Sequence, residues 1–344
     1  MSFQKNKVAI IGAGTFGTAI ANIVAQNTEV LLYSRNEEVC KSINETRNHH
    51  GALMHNNIVA NSHLADVITS CELLFFTIPS QSYMGFIKEI QPYVSPSQII
   101  IHGTKGVLTR VDIDADERLD ADGIVTISNL ILDTTCVVKV GCISGPNLAK
   151  ELYDGYPAAT VLASKYDQVI KQGEAVLKTN QFMVFGSYDI TGVELSGVLK
   201  NVISIASGMV TGLGYGDNTR ALLISRGLLE MTRIAEVLGA EPKSFFGLAG
   251  IGDLIATCVS KYSRNHTVGL RLSQGETIQE ILATMTEPAE GVNTLKVCFK
   301  LSKTYKLHTP IIDALYDIVF QNLSIKQGLV RLMSFPRSKD VDFV

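Results

Sequence analysis

The sequence predicts an α/β chain built in two parts: a doubly wound, parallel sheet over residues 1–190 and an all-helical unit over residues 191–344. Three observations predict it. A glycine-rich turn stands between a short buried strand and an amphipathic helix. Strand patterns then alternate with helical ones as far as Gly186. From Ile190 onward strand patterns are scarce, and apolar residues recur at helical spacing. The 344 residues, 46% hydrophobic and 18% charged with 28 glycines, are enough for two cores.

Lys7 to Ile11 (KVAII) reads as a β-branched strand, and GAGTFG follows at once. TAIANIVAQN then has helical spacing, and EVLLYSR, Glu29 to Arg35, is the second buried strand. Strand, glycine turn, helix, strand is the setting that a G-x-G-x-x-G dinucleotide turn requires, so this half is of the Rossmann type. Gly12 permits the tight turn, Gly14 lets the backbone approach a pyrophosphate, and Gly17 lets helix and strand pack closely. The helix start offers free N–H groups and a positive dipole end to the phosphates. Cofactor choice is read at the end of the second strand, where an acidic residue binds the ribose hydroxyls of NAD. Tyr33-Ser34-Arg35-Asn36 holds no acid before Glu37, and Arg35 offers a planar fork of donors to a 2′-phosphate. NADP is therefore favoured slightly over NAD. The alternative is an ordinary surface arginine and use of both cofactors.

The alternation continues with strands at Ile58–Ala60, Leu73–Ile78 (ending at Pro79-Ser80-Gln81) and Ile99–Ile101, followed by HGTKGV. In such sheets ligands bind beyond the C-terminal ends of the strands, which is where Pro79-Ser80 and Lys105 fall. Lys105 lies between Gly103 and Gly106, so its turn is open. Asp112 to Asp122 holds six acidic residues among eleven and reads as a solvated excursion without EF-hand spacing. Cys142-Ile143-Ser144 resumes a strand. Gly145-Pro146-Asn147 then leads to a helix over Asn147–Leu152 that points its N-terminus into the same crevice. Ala158–Ala163 and Gln181–Phe185 are two further strands closing the sheet.

Helices are expected over residues 192–208, 218–238, 241–246, 254–258, 263–272, 277–285, 292–301 and 311–320. Inside the first stands Lys200, whose neighbours at three and four residues are Ser196, Gly197, Ile203 and Ser204. Such a lysine either snorkels to solvent or is a buried functional amine. GLAGIGDL brings glycines to a helix start where Asp253 caps the helix or faces a cation. Ser263-Arg264-Asn265, at another helix start, joins hydroxyl, amide, backbone N–H and guanidinium donors in a phosphate cradle; an N-cap serine beside a surface arginine is the plainer reading.

A net charge of −3 argues against a nucleic-acid partner. No apolar run reaches the length of a membrane span, since the Lys200 segment is broken by Lys, Asn and Ser. MSFQKNKVAIIGAG enters a strand at once without a secretory pattern, so the cytoplasm is expected. The six cysteines form no CxxC pair and read as reduced structural thiols. His49, His50, His55 and His63 lie in a polar, Asn-rich stretch without metal-site spacing. They read as surface loop, and no metal is expected.

GAGTFGTA, HGTKG, ISGPNLAKEL, GVELSGVLKNVISIASG, GLGYGDNTRALLISRGLLEM, GLAGIGDLIATC, SRN and AEGVNT stand in this order along the chain. On these blocks, from about Lys7 to about Phe320, it resembles the bacterial-type NAD(P)-dependent glycerol-3-phosphate dehydrogenases. The resemblance implies a homodimer that interconverts dihydroxyacetone phosphate and sn-glycerol 3-phosphate, supplying phospholipid synthesis. It implies Lys200 as proton acceptor, with burial beside Lys105 and Arg264 lowering its pKa, and Asp253 as a positioning group. Lys105 would meet cofactor and substrate; Gly145, Asn147, Ser263, Arg264 and Asn265 the substrate; Thr15, Phe16, Arg35, Ala149, Arg264 and Glu290 the dinucleotide. His102-Gly103, Asn147 and Pro288-Ala289 depart from the family pattern, as does a longer, more acidic Val111–Val140 segment. Two other functions fit the same architecture: a dehydrogenase of another hydroxy acid, and an NAD(P)-binding redox sensor without turnover.

Overall fold

The computed structural model describes residues 7–115, 118–285 and 289–334. Twelve strands are present among them: β1 Val8–Ile11, β2 Val30–Tyr33, β3 Asn48–His49, β4 Ala52–Leu53, β5 Ile58–Asn61, β6 Leu73–Phe76, β7 Ile99–His102, β8 Val107–Thr109, β9 Ile124–Thr126, β10 Lys139–Ser144, β11 Ala158–Ser164 and β12 Phe182–Ser187. Seven helices lie between them: α1 Thr15–Val24, α2 Glu37–Thr46, α3 Leu64–Thr69, α4 Tyr83–Ile90, α5 Ile127–Thr134, α6 Ala149–Tyr153 and α7 Asp167–Leu177. The rest is helical: α8 Ile190–Gly212, α9 Asp217–Val237, α10 Asp253–Val259, α11 Arg264–Ser273, α12 Ile278–Thr284, α13 Glu290–Tyr305, α14 Pro310–Phe320 and α15 Ile325–Met333.

The main sheet has the order β12-β11-β10-β7-β6-β1-β2-β5. From β5 to β10 every neighbouring pair is parallel. Strands such as VAII, LLFF and III are buried on both faces, as parallel strands covered by helices must be. The sheet is not parallel throughout, however: β11 runs antiparallel to β10, and β12 follows β11. An antiparallel neighbour needs no crossover helix, and the only helix in the β10–β11 link is the five-residue α6. It begins at Ala149 rather than at Asn147.

Two segments read as solvated are held in place. The acidic stretch is the connection of the β8–β9 hairpin. Its Leu119 is buried in the helical core, Asp114 pairs with Lys296 of α13, and Tyr305 of α13 accepts a bond from the Ala121 N–H. Apolar contact at Leu119 outweighs the charge around it; Asp116 and Glu117 lie outside the described residues. The histidine-rich stretch forms the β3–β4 hairpin.

In the helical region α8 is the central element. It is 23 residues long and, by length and composition, apolar enough to cross a membrane, contrary to the expectation that its polar residues would disqualify it. Here it is a core helix, buried over 89% of that apolar stretch. Its partner α11 lies backbone against backbone: a Cβ on Gly208 would stand 2.0 Å from the His266 carbonyl oxygen, and one on Gly269 1.8 Å from that of Ile205. Residues 242–246 form a 3₁₀ turn, and Leu248–Gly252 a π-helical turn running directly into α10, where a glycine-rich lead-in was expected. Helix α15, beyond the last expected element, closes the described chain; the tail after Ser334 lies outside it.

Candidate active site

Parallel strands aim their C-terminal ends at one edge, and β1, β2, β6, β7 and β10 deliver there Gly12, Arg35, Ser80, Lys105 and Gly145. At the glycine turn, a Cβ on Gly17 would lie 1.9 Å from the Gly12 carbonyl oxygen, so α1 packs on the turn only with glycine there. Gly14 is different: nothing stands within 4 Å of its added Cβ. The open face above Gly14, beside the unpaired first N–H groups of α1, suits a pyrophosphate. Thr15 and Phe16 open α1, with the Phe16 ring packed against Gly103. Arg35 is exposed at the end of β2.

Opposite this edge lies α8. Lys200 is 5% exposed, so the snorkelling alternative fails. Its ammonium donates to Asp253 Oδ1 at 2.6 Å and to Thr257 Oγ1. Asp253 is 2% exposed; its other oxygen, Oδ2, accepts from Lys105 Nζ at 2.6 Å. Lys105 also donates to the Gly145 carbonyl at 3.2 Å, and its side chain keeps 24% exposure. One carboxylate thus carries two ammonium groups, one from each region. Asp253 does not cap its helix: it is the first residue of α10 and turns its charge to the lysines. Gly197 makes room, since a Cβ there would stand 2.5 Å from Ser144 Oγ and 3.6 Å from Lys105 Cγ.

Burial pushes the Lys200 amine down to about 8, with Lys105 helping and Asp253 opposing. Arg264, expected near the same amine, is exposed at the start of α11. For Asp253 burial acts upward, but Lys105 and Lys200 together outweigh it and hold the carboxyl below its usual range.

A second group closes the cleft. Glu290, first residue of α13, accepts from the Ser80 hydroxyl at 2.7 and 2.8 Å and thereby ties the helical region to the end of β6. The next residue, Gly291, donates its N–H to Asn265 Oδ1 at 3.0 Å. Ser263 caps α11 by accepting from His266 N and meets Ser204 Oγ at 2.9 Å. Asn147 is partly committed, its amide donating to the Ala159 carbonyl at 2.9 Å. Ala149 opens α6, half-buried. His102 is buried at the end of β7, 2.8 Å from Ser128 Oγ.

Lys105, Gly145, Lys200 and Asp253 therefore converge, while Ser263, Asn265 and Glu290 form an adjoining wall. Arg35 and Arg264 stay at the rim. Thr257 escaped the sequence reading, although Asp-x-x-x-Thr spacing within one helix puts both side chains on one face. Ser80 was placed at a strand end but not paired with Glu290. Among the described residues no cluster of three His, Cys, Asp or Glu side chains is placed to hold a metal, and all six cysteines are free thiols.

Comparison with known proteins gives a consistent picture. The family described as NAD-dependent glycerol-3-phosphate dehydrogenase matches in its N-terminal part over residues 7–170 and in its C-terminal part over residues 189–330. The chain is 36% identical to the glycerol-3-phosphate dehydrogenase [NAD(P)+] of Saccharophagus degradans, covering 98% of this chain and 93% of the relative. It is 36% identical to that of Pseudomonas aeruginosa, covering 99% and 98%. The solved structure of glycerol-3-phosphate dehydrogenase from Coxiella burnetii superposes with a TM-score of 0.85 at 29% identity, over 96% of this chain and 99% of that one.

Proposed function

The chain belongs to the NAD-dependent glycerol-3-phosphate dehydrogenase family, and from that premise we propose how its residues divide the work. The reaction is the reversible transfer of hydride between NAD(P) and the C2 carbon of a small phosphorylated substrate, dihydroxyacetone phosphate in one direction and sn-glycerol 3-phosphate in the other. The nicotinamide ring, when bound, supplies or takes the hydride; the protein holds the reacting carbons in reach and manages the proton.

The observation that carries the assignment of roles is the Lys200–Asp253–Lys105 bridge at the sheet edge. Lys200, with an amine at about 8, can exist in either form near neutral pH. In the reducing direction the ammonium donates to the ketone oxygen and gives up its proton as the alkoxide forms. In the oxidising direction the neutral amine takes the proton from the C2 hydroxyl. Asp253 stays ionised and fixes where both ammonium groups point. Lys105 adds positive charge at the developing alkoxide and joins that point to the cofactor edge.

Ser263, Arg264 and Asn265, with Gly145 and Asn147 across the cleft, make the cradle for the substrate phosphate, supported by their place at the start of the ten-residue α11. Gly12 to Gly17, Ala149 and Glu290 hold the dinucleotide, and exposed Arg35 favours NADP. The division between the two units falls at residue 190, between β12 and α8, and the enzyme works as a cytoplasmic homodimer. Reduction of dihydroxyacetone phosphate, followed with NADPH and NADH side by side, tests this reading. Turnover is expected with both cofactors and a higher kcat/KM with NADPH. Cofactor binding without turnover would leave a redox sensor in its place.

A further inference from the structure

His49 and His50 belong to a stretch that the function leaves unused. In the hairpin they form, His50 and Gly51 have φ of 51° and 75°, a two-residue turn with both residues left-handed. Asn22 of α1 pins this hairpin, donating to the Leu53 carbonyl at 3.1 Å and accepting from His55 N at 2.9 Å. Both imidazoles reach one atom on the far side. His49 Nε2 lies 2.8 Å and His50 Nε2 3.1 Å from the carbonyl oxygen of Ala13. Ala13 is the residue between Gly12 and open Gly14 in the dinucleotide turn.

A carbonyl oxygen only accepts, so each Nε2 carries the hydrogen. The Nδ1 of His49 is then the atom that gains or loses a proton, and that ring can become charged without releasing the turn. The surroundings hold few competing charges. Thr15–Val24 of α1 contains no charged residue. Arg47, at the end of α2, spends its guanidinium on the His55 and Ile58 carbonyls, and Glu45 faces Lys41 on the outer side of α2. His55 accepts a backbone bond from Asn57 through Nδ1. On α6 the Tyr153 hydroxyl donates to the Thr15 carbonyl, Lys150 pairs with Asp154, and Glu151 is exposed. His49 therefore feels burial, the Ala13 carbonyl and His50, and the first and last hold its proton affinity down while the site is free of anions.

We propose that His49 and His50 form an anchor for the pyrophosphate turn of the dinucleotide site, with His49 as its proton gate. Both rings hold the carbonyl of the turn, and His49, once charged, adds attraction to the phosphates that the turn receives at Gly14. This rests on the reading of Gly12–Gly17 as the cofactor turn. The linkage has a fixed sign: an anion beside the His49 ring favours its protonated form, so cofactor binding tightens as pH falls.

The test is NADH affinity from pH 8 to pH 6, read by the fluorescence of the reduced nicotinamide, in the full-length protein and in the His49→Gln/His50→Asn variant. Gln keeps a donor for Ala13, and Asn tolerates the left-handed backbone. The pyrophosphate stays fully ionised across this range, and Lys200 titrates in both proteins, so the difference in slope isolates the imidazoles. Wild-type affinity should rise roughly three- to tenfold on going to pH 6, and the variant by less than about twofold, with equal affinities at pH 8. His49→Gln alone should flatten the slope as well, which covers a double variant that fails to fold. Equal slopes would overturn the proposal. So would flattening for NADPH but not NADH, which would move the rings to the 2′-phosphate. Wild-type protein that binds no NADH at either pH would overturn the reading of the turn as well.

Discussion

At the glycine turn the groups open to a ligand are main-chain ones: the uncovered Gly14 and the first N–H groups of α1. In the helical region they are ionised side chains taken out of water, Lys200 and Asp253 above all. A backbone site needs only the right turn, and all its parts lie within six residues, Gly12 to Gly17. A buried charge must be neutralised by partners the fold brings in, here 53 residues away along the chain for Lys200 and Asp253 and 148 away for Lys105 and Asp253. The first kind of site is suited to binding and the second to moving protons, because desolvation is what brings an amine down to about 8.

The sharpest way to break this division is Lys200→Ala. Turnover should fall by about 10³- to 10⁴-fold, the scale of a lost general acid–base group, while NADH affinity stays within about twofold. In the wild type, oxidation of glycerol 3-phosphate needs the neutral amine, so its rate should climb with pH and level off above about 8. Reduction of dihydroxyacetone phosphate needs the ammonium and should decline above about 8. Steady-state rates in both directions across pH 6–10 check this, and the residual activity of the variant should lack both limbs. Equal losses of turnover and cofactor affinity would erase the distinction between the two regions.

Within the glycine turn the comparison can be made between neighbours. Gly17→Ala forces a Cβ to 1.9 Å from a backbone oxygen that cannot swing aside, so it should cost about 3 kcal/mol and lower Tm by on the order of 10 °C. Gly14→Ala meets nothing within 4 Å, and its φ of −75° suits alanine. Its Tm should stay within about 2 °C while NADH affinity falls tenfold or more, roughly the loss of close approach to the phosphates. Thermal melts paired with NADH titrations separate the two. A Gly14→Ala protein that binds normally would place the pyrophosphate elsewhere.

The same contrast explains what could be read from the sequence. KVAII-GAGTFG announced strand, turn and helix because its causes are local: β-branched residues, glycine spacing and helical periodicity. The helices from α8 to α14 were legible for the same reason. The antiparallel return of β11 was not, since strand direction depends on which neighbour a strand meets and leaves no mark in its own residues. Lys200 taken alone reads as a snorkelling surface residue; its company with Asp253 and Ser263-Arg264-Asn265, and then the resemblance carried by eight ordered blocks, raised it to a site residue. Its partner Thr257 and the latch between Ser80 and Glu290, 210 residues apart, are products of packing. Leu119 shows the converse error, one apolar residue anchoring a stretch whose composition reads as solvated.

Glu230 offers the smallest and most discriminating test, because it is a buried ionisable group of the helical region outside the Lys105–Lys200–Asp253 cluster. From α9 its carboxyl oxygens accept the N–H groups of Ile311 at 2.7 Å and Ile312 at 2.9 Å, capping α14 where Thr309 makes no side-chain cap. Burial pushes this carboxyl up to about 8 against those two bonds, from an ordinary value of 4.5. Between these values the folded chain keeps a proton that the unfolded chain releases. The stability this brings is complete below the lower value and is lost as pH rises through about 8. Gln does not titrate but keeps only one acceptor oxygen, so its amide NH2 faces one of the two N–H groups and one cap bond is lost. Glu230→Gln should therefore melt a few degrees below wild type at pH 5, and that deficit should shrink or reverse as pH rises to 8, with kcat unchanged. A deficit that instead widens as pH rises would mean that the carboxylate stays charged at the start of α14, its backbone bonds outweighing desolvation. Buried charge in this region would then be stabilising wherever it is well bonded, and the lowered amine of Lys200 would owe more to Lys105 than to burial.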